Sequence, residues 1–110
     1  MLLTNVAIAG LAHIEPPERM MSDEFERRLA PTMERLGLPP AMLQNVAGIS
    51  ERRWGGEKTQ PSDIAAAAAE KVLAETGIPR DQIGVIINTS VCRDYIEPST
   101  ASIVHSKLGL

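Results

Sequence analysis

The hydrophobic pattern changes period several times along this chain. From Asn5 to Ile14, NVAIAGLAHI sets Val6, Ile8 and Gly10 on one side of an extended backbone and Ala7, Ala9 and Leu11 on the other. Both sides are small or apolar, which predicts a strand covered on two faces. Pro16 and Pro17 in EPPERM predict a break in regular structure. Beyond it, Ser22 stands as an N-cap before Asp23 and Glu24, and Phe25, Leu29, Met33 and Leu36 recur at spacings of four, four and three. That is an amphipathic helix ending before Gly37. Pro31 lies inside it, where the ring removes a donor and crowds the preceding turn, so a kink or a split is expected.

Pro39 and Pro40 open a short helical stretch, PAMLQNVAG, which Gly48 closes. GISERRWGGEKTQ is polar and glycine-rich and reads mostly as loop, with Ile49 starting at most a short strand or turn. The clearest helix is DIAAAAAEKVLAET, started by Pro61, Ser62 and Asp63, capped by Gly77 and stopped by Pro79. Its alanines let a neighbouring backbone approach, so Ile64, Ala65, Ala68, Ala69 and Val72 should press on a sheet. IGVIINTSV follows, β-branched and uncharged, and predicts a central strand. Pro98, Ser99 and Thr100 then begin a last helix that closes at Gly109. Helix followed by buried strand is the α/β pattern.

Composition narrows the classes. With 110 residues the chain holds at most one domain, and 11 Lys+Arg against 14 Asp+Glu give a net charge of -3. No basic cluster offers a footprint for phosphate backbones, and one Phe, one Tyr and one Trp make no stacking platform, so nucleic acid is a poor partner. A single cysteine closes no internal disulfide and no Cys/His set has ligand spacing, so no metal site is expected and a reducing cytoplasm is. MLLTNVAIAGLAHI lacks the basic start of a signal peptide, and no run reaches the roughly 18 apolar residues that span a bilayer.

Few residues carry chemistry on their own. His13 and His105 have no local nucleophile to pair with and read as structural, and Cys92 without a nearby base reads as an inert small residue. Gly55, Gly56 and Lys58 lack phosphate-loop spacing. The segment RDYIEPST is more informative: it sets Arg93, Asp94, Tyr95 and Glu97 between a buried strand and a helix start, where α/β proteins present side chains to ligands. Pro98 pushes Glu97 toward an extended conformation, away from the helix it introduces. Read plainly, the same segment is a surface loop with an Arg93–Asp94 ion pair worth under about 1 kcal/mol. Spacing alone leaves the two readings level.

The order of GISERR, the alanine-rich helix after PSD, TGIPRDQIGVIINTS and EPSTASIVHSKLG resembles the start of β-ketoacyl synthase III enzymes of the thiolase superfamily. More narrowly, NVAIAGLAHI and INTSVCRDYIEPSTASIV resemble the OleA-like branch, which opens long-chain olefin biosynthesis. The resemblance implies an α/β chain that is the N-terminal part of a thiolase-like fold, layered αβαβα when complete. It also implies a non-decarboxylative Claisen condensation of two fatty acyl-CoA molecules to a 2-alkyl-3-oxoalkanoic acid, with acyl-CoA as substrate and no other cofactor. A cysteine takes the first acyl group, and a glutamate reaching across a homodimer deprotonates the second at its α-carbon. Glu97 matches that glutamate, where ordinary synthase III enzymes generally carry an apolar residue. A donor with no carboxyl group to lose as CO2 needs such a base, and an apolar acyl channel raises a carboxylate's pKa toward that task.

The pattern also departs. The positions that hold the CoA adenine in synthase III enzymes match Met42 and Val46 here, so no CoA site carries over. The family's cysteine, histidine and asparagine are expected beyond Leu110, making the 110 residues inactive alone and the parent an acyltransferase. Three alternatives stay open: a conventional 3-oxoacyl-ACP synthase III using malonyl-ACP, a non-catalytic chain supplying Glu97 in trans to a complementary thiolase chain, and a generic α/β domain.

Overall fold

The computed structural model describes residues 4–110, and the chain divides into two compact units. Glu15–Glu57 form one, and the described residues up to Ile14 with Lys58–Leu110 form the other.

The Glu15–Glu57 unit is built on an antiparallel ladder of β1 (Glu18–Met21) and β2 (Glu51–Trp54), with Glu18 opposite Trp54 and Met21 opposite Glu51. EPPERM therefore does not break structure throughout, and ERRW is strand rather than loop. Charges at Glu18, Arg19, Glu51, Arg52 and Arg53 hide these strands from a hydrophobic-period reading, because backbone pairing and a diagonal Arg19–Glu51 contact of 3.4 Å join them, with only Met20 buried.

β1 runs straight into α1 (Ser22–Arg35), so Ser22 is claimed by the ladder and does not cap the helix. Its amide donates to the Ser50 carbonyl at 2.9 Å, its hydroxyl donates to the Ile49 carbonyl at 2.5 Å, and Arg52 Nη1 donates to that hydroxyl at 2.8 Å. α1 continues through Pro31 without splitting. Pro31 and Arg27, whose carbonyl loses its helical donor, are both exposed residues, so the defect sits away from the packed side. α2 (Met42–Ala47) starts where the Glu26 carboxylate accepts from the amides of Ala41 and Leu43, each at 2.7 Å. A helix N-terminus without a capping side chain of its own is thus capped from α1. The Arg28 guanidinium lies 5.0 Å from the Trp54 ring centroid.

In the other unit α3 (Pro61–Thr76) and α4 (Thr100–Lys107) pack together around Ala66, Val104 and Leu108, with Ala65, Ala69, Ile86 and Leu110 at the margin. α3 follows its sequence signals: Pro61 at its start, the Gln60 amide donating to the Asp63 carboxylate at 2.9 Å, and Gly77 at φ 68° donating to the Leu73 carbonyl. Arg80, in a short 3₁₀ turn, bridges the Glu70 carboxylate and, at 2.9 Å, the Leu108 carbonyl.

The two expected central strands are not in any hydrogen-bonded ladder: residues 5–14 and 83–91 lie outside helix and sheet. Val6, Ile8, Leu11, Val85, Ile87 and Val91 are exposed. A strand exists only through pairing with a neighbouring strand, and the described residues supply no such ladder to these segments. What covers α3 is instead a close approach by Gly10. A Cβ there would stand 2.4 Å from Thr76 Cγ2 and 3.0 Å from Val72 Cγ2. Thr76 cannot swing aside freely, because its hydroxyl donates to the Val72 carbonyl at 2.7 Å. Gly10→Ala should therefore destabilise this unit by about 1–3 kcal/mol. Gly84→Ala, where nothing lies within 4 Å, should cost far less. Urea unfolding of both variants checks the difference, and equal midpoints would remove the packing argument.

Candidate functional site

The loop between Ile87 and α4 begins with Asn88, whose Oδ1 accepts from the Ser90 hydroxyl at 2.7 Å and the Ser90 amide at 3.3 Å. Such a side-chain turn reverses the chain locally. The loop ends at Ser99, whose hydroxyl caps α4 by accepting from the Ser102 amide at 3.2 Å, as Ser99's place in the sequence predicts.

Between these ends the chain is fixed by Asp94. Its Oδ1 accepts from the Ser62 amide at 3.0 Å and its Oδ2 from the Ser62 hydroxyl, so Asp94 meets the start of α3 rather than the Arg93 partner of the surface-loop reading. The first turn of a helix offers unpaired N–H groups and partial positive charge, a better site for a carboxylate than a neighbouring exposed guanidinium. Ser62 is fully buried, and its hydroxyl also accepts from Lys107 Nζ at 2.7 Å. Lys107 reaches on to the Asp63 carboxylate. One hydroxyl thus joins the loop, α3 and α4.

Glu97 lies in the stretch held between Asp94 and Ser99, and it is exposed. It lines a cavity of about 360 Å³ with Asn88, Ser90, Arg93, Ile96 and Thr100. The lining is mixed rather than apolar, so the enclosed acyl channel implied by the resemblance is not formed by the described residues. Thr100 is buried there and its hydroxyl has no hydrogen-bond partner. Cys92 is exposed in the same loop with its carbonyl 2.8 Å from the Ser90 hydroxyl, and His105 is exposed on α4. His13 belongs to the segment beside α3, where its carbonyl faces Lys71 Nζ at 3.4 Å. Met42 and Val46 lie on α2, in the other unit. Among the described residues no three His, Cys, Asp or Glu side chains gather to hold a metal, and no helix is long and apolar enough to cross a membrane.

Sequence reading missed Lys107 and the role of Ser62. The only local sign was Ser62 at a helix start; Lys107, 45 positions away, carries none.

Comparison with known proteins gives this geometry a context. No protein-family profile matches the chain. It is 52% identical over its full length to the acyl-CoA:acyl-CoA alkyltransferase of Xanthomonas campestris and 41% identical to that of Shewanella oneidensis, covering 32% of each. Against the β-ketoacyl-[acyl-carrier-protein] synthase III of Staphylococcus saprophyticus identity falls to 30% over 96% of the chain, again 32% of that protein. By sequence the chain is homologous to OleA-type condensing enzymes. Among solved structures, Xanthomonas campestris OleA with bound lauric acid and lauroyl-CoA matches at TM-score 0.76 and 52% identity, covering 98% of this chain and 32% of that one. A structure described as 3-oxoacyl-(acyl carrier protein) synthase III from Xanthomonas oryzae matches at TM-score 0.79 and 51% identity, covering 99% and 32%. The chain thus carries part of the thiolase-like α/β fold and spans about a third of the length of the curated OleA-type relatives it matches.

The Lys107–Asp63 contact gives a titration signature. Asp63 has its pKa lowered from the ordinary 3.8, first by the Lys107 hydrogen bond and then by the Gln60 amide. Because the folded value lies below the unfolded one, the stability this carboxylate contributes is complete above the unfolded value and is lost as pH falls through the folded one. Lys107→Gln should move the Asp63 midpoint up toward 3.8 in a carboxylate-carbon NMR titration. An unmoved midpoint would show that the ion pair does not form.

Proposed function

We propose that this chain is the N-terminal portion, within the first thiolase-like half, of an acyl-CoA condensing enzyme. In this reading two fatty acyl-CoA molecules undergo non-decarboxylative Claisen condensation, with Glu97 as general base. One acyl group passes from CoA to a cysteine outside the 110 residues. Glu97 takes a proton from the α-carbon of the second acyl-CoA, and the resulting enolate attacks the enzyme-bound thioester and expels the thiolate. Water then releases the remaining CoA, leaving a 2-alkyl-3-oxoalkanoic acid. The sum moves protons and acyl groups but no electrons to or from a redox carrier, so acyl-CoA is substrate and the reading requires no further cofactor.

The observation that carries this reading is Glu97 itself, on a loop that presents it rather than packs it. Identity alone leaves two names level, since relatives at 52% and 51% are called alkyltransferase and synthase III respectively. A decarboxylating synthase draws its carbanion from CO2 loss and has no use for a carboxylate base at this point, whereas a condensation of two acyl-CoAs does. Conventional synthase III chemistry with malonyl-ACP is the second reading. A homodimer in which Glu97 serves the neighbouring subunit fits the exposed position of the loop, and a non-catalytic chain supplying Glu97 in trans uses the same exposure. The single unpaired Cys92 and the acyl-CoA substrates support a cytoplasmic location.

In the intact enzyme, Glu97→Gln should lower condensation by about 10²-fold or more while leaving acylation of the cysteine unchanged. Mass spectrometry of the acyl-enzyme and of the 3-oxo acid separates the two steps. Normal condensation, or loss of acylation, would take the base role away from Glu97, and faster turnover with malonyl-ACP than with a second acyl-CoA would favour the synthase III reading.

A further inference from the structure

We propose that Asp94 is a positioning residue for Glu97, holding the loop that carries the base on the N-terminus of α3 through Ser62. The inference rests on the reading of Glu97 as base. Four residues, Tyr95 to Pro98, separate Asp94 from the Ser99 cap of α4. Tyr95 and Ile96 are 59% and 84% exposed, so side-chain packing does little to hold this stretch. Its course is set at its two ends. At one end both Asp94 oxygens are taken by Ser62, through the amide at 3.0 Å and the hydroxyl. At the other, Ser99 is fixed to the first turn of α4.

The Asp94 anchor is itself built into the core. Ser62 is 0% exposed, so its hydroxyl has no water to turn to and must use protein partners. A hydroxyl has one proton to donate and two lone pairs to accept with. The proton goes to Asp94 and one lone pair receives Lys107 Nζ at 2.7 Å, which fixes the orientation of the group that Asp94 meets. Lys107 ends the same α4 that Ser99 begins. Both ends of the Glu97 stretch are therefore referred to one pair of packed helices, and a carboxylate base on an otherwise loose loop acquires a defined position. General-base transfer falls steeply with misplacement, because the proton must lie within hydrogen-bond reach.

The test uses the intact enzyme and four variants: Asp94→Ala, Asp94→Asn, Glu97→Gln and Asp94→Ala with Glu97→Gln. Asp94→Ala should slow condensation about tenfold or more, with acyl-enzyme formation at the wild-type rate. Asp94→Asn keeps an acceptor for the Ser62 amide but leaves the Ser62 hydroxyl without its acceptor, and should fall between wild type and Asp94→Ala while remaining folded. If Asp94 acts through Glu97, the double variant should condense no more slowly than Glu97→Gln alone. Equal loss in both half-reactions, unchanged condensation in both Asp94 variants, or additive losses in the double variant would overturn the positioning role while leaving Glu97 as base. Normal condensation by Glu97→Gln would overturn the base reading and this proposal with it.

Discussion

The unit that carries Glu97 depends on a carboxylate seated at a helix N-terminus. α3 is rich in alanine, so it offers neighbours little side-chain volume, and Ala66 is its one buried apolar residue against Val104 and Leu108. With so small an apolar contact, directional polar links decide which helix faces meet. Asp94, Ser62, Lys107 and Asp63 supply them at the start of α3, and Arg80 supplies another by joining Glu70 to the Leu108 carbonyl at the end of α4. The charges sit where the helix dipoles favour them: carboxylates at the α3 N-terminus, and Lys107 and Arg80 at the α4 C-terminus. Taking one partner from a buried hydroxyl leaves the others with an orphan worth about 1–3 kcal/mol, so the cluster is held as a set.

The Glu15–Glu57 unit solves a similar problem differently. There α2 lacks a capping side chain of its own, and a carboxylate from elsewhere supplies it: Glu26 on α1 takes two amides at the start of α2. The ladder of β1 and β2 is held by backbone pairing and by Ser22, whose hydroxyl lies between the Ile49 carbonyl and Arg52. In both units a buried serine, Ser22 or Ser62, accepts from a cation while donating to an acceptor. Serine suits this because a single small group closes a link in both directions without filling space.

What the sequence revealed follows the range of the forces involved. α3, α4 and most of α1 were legible because period, caps and terminating glycines are written within a few residues of each element. The continuity of α1 through Pro31 was not, since a local rule predicts the cost of the ring and not whether the rest of the helix absorbs it. β1 and β2 were missed because their residues are mostly charged and each one's partner lies 30 to 36 positions away. Glu97 as a candidate base rests on likeness to a family, since an exposed glutamate before a proline has no signature of its own. For Asp94 the sequence left a surface pair with Arg93 level with a functional reading and gave no sign of Ser62, which is adjacent only in space.

The segments at residues 5–14 and 83–91 show the reverse case, in which a clear apolar pattern predicts strands that the structure does not form. Val6, Ile8, Val85 and Ile87 are 71–81% exposed, a costly arrangement for β-branched side chains when left in water. Backbone groups outside any ladder add to that cost, since each looks for a partner that water supplies less rigidly than a neighbouring strand. Uninterrupted apolar character on both faces is the mark of strands inside a sheet with layers on either side. The curated relatives that match here are about three times as long as this chain. Hydrophobic periodicity thus records the environment in which a segment is buried. Hydrogen-bonded structure records the neighbours actually present, and for these two segments the two records differ.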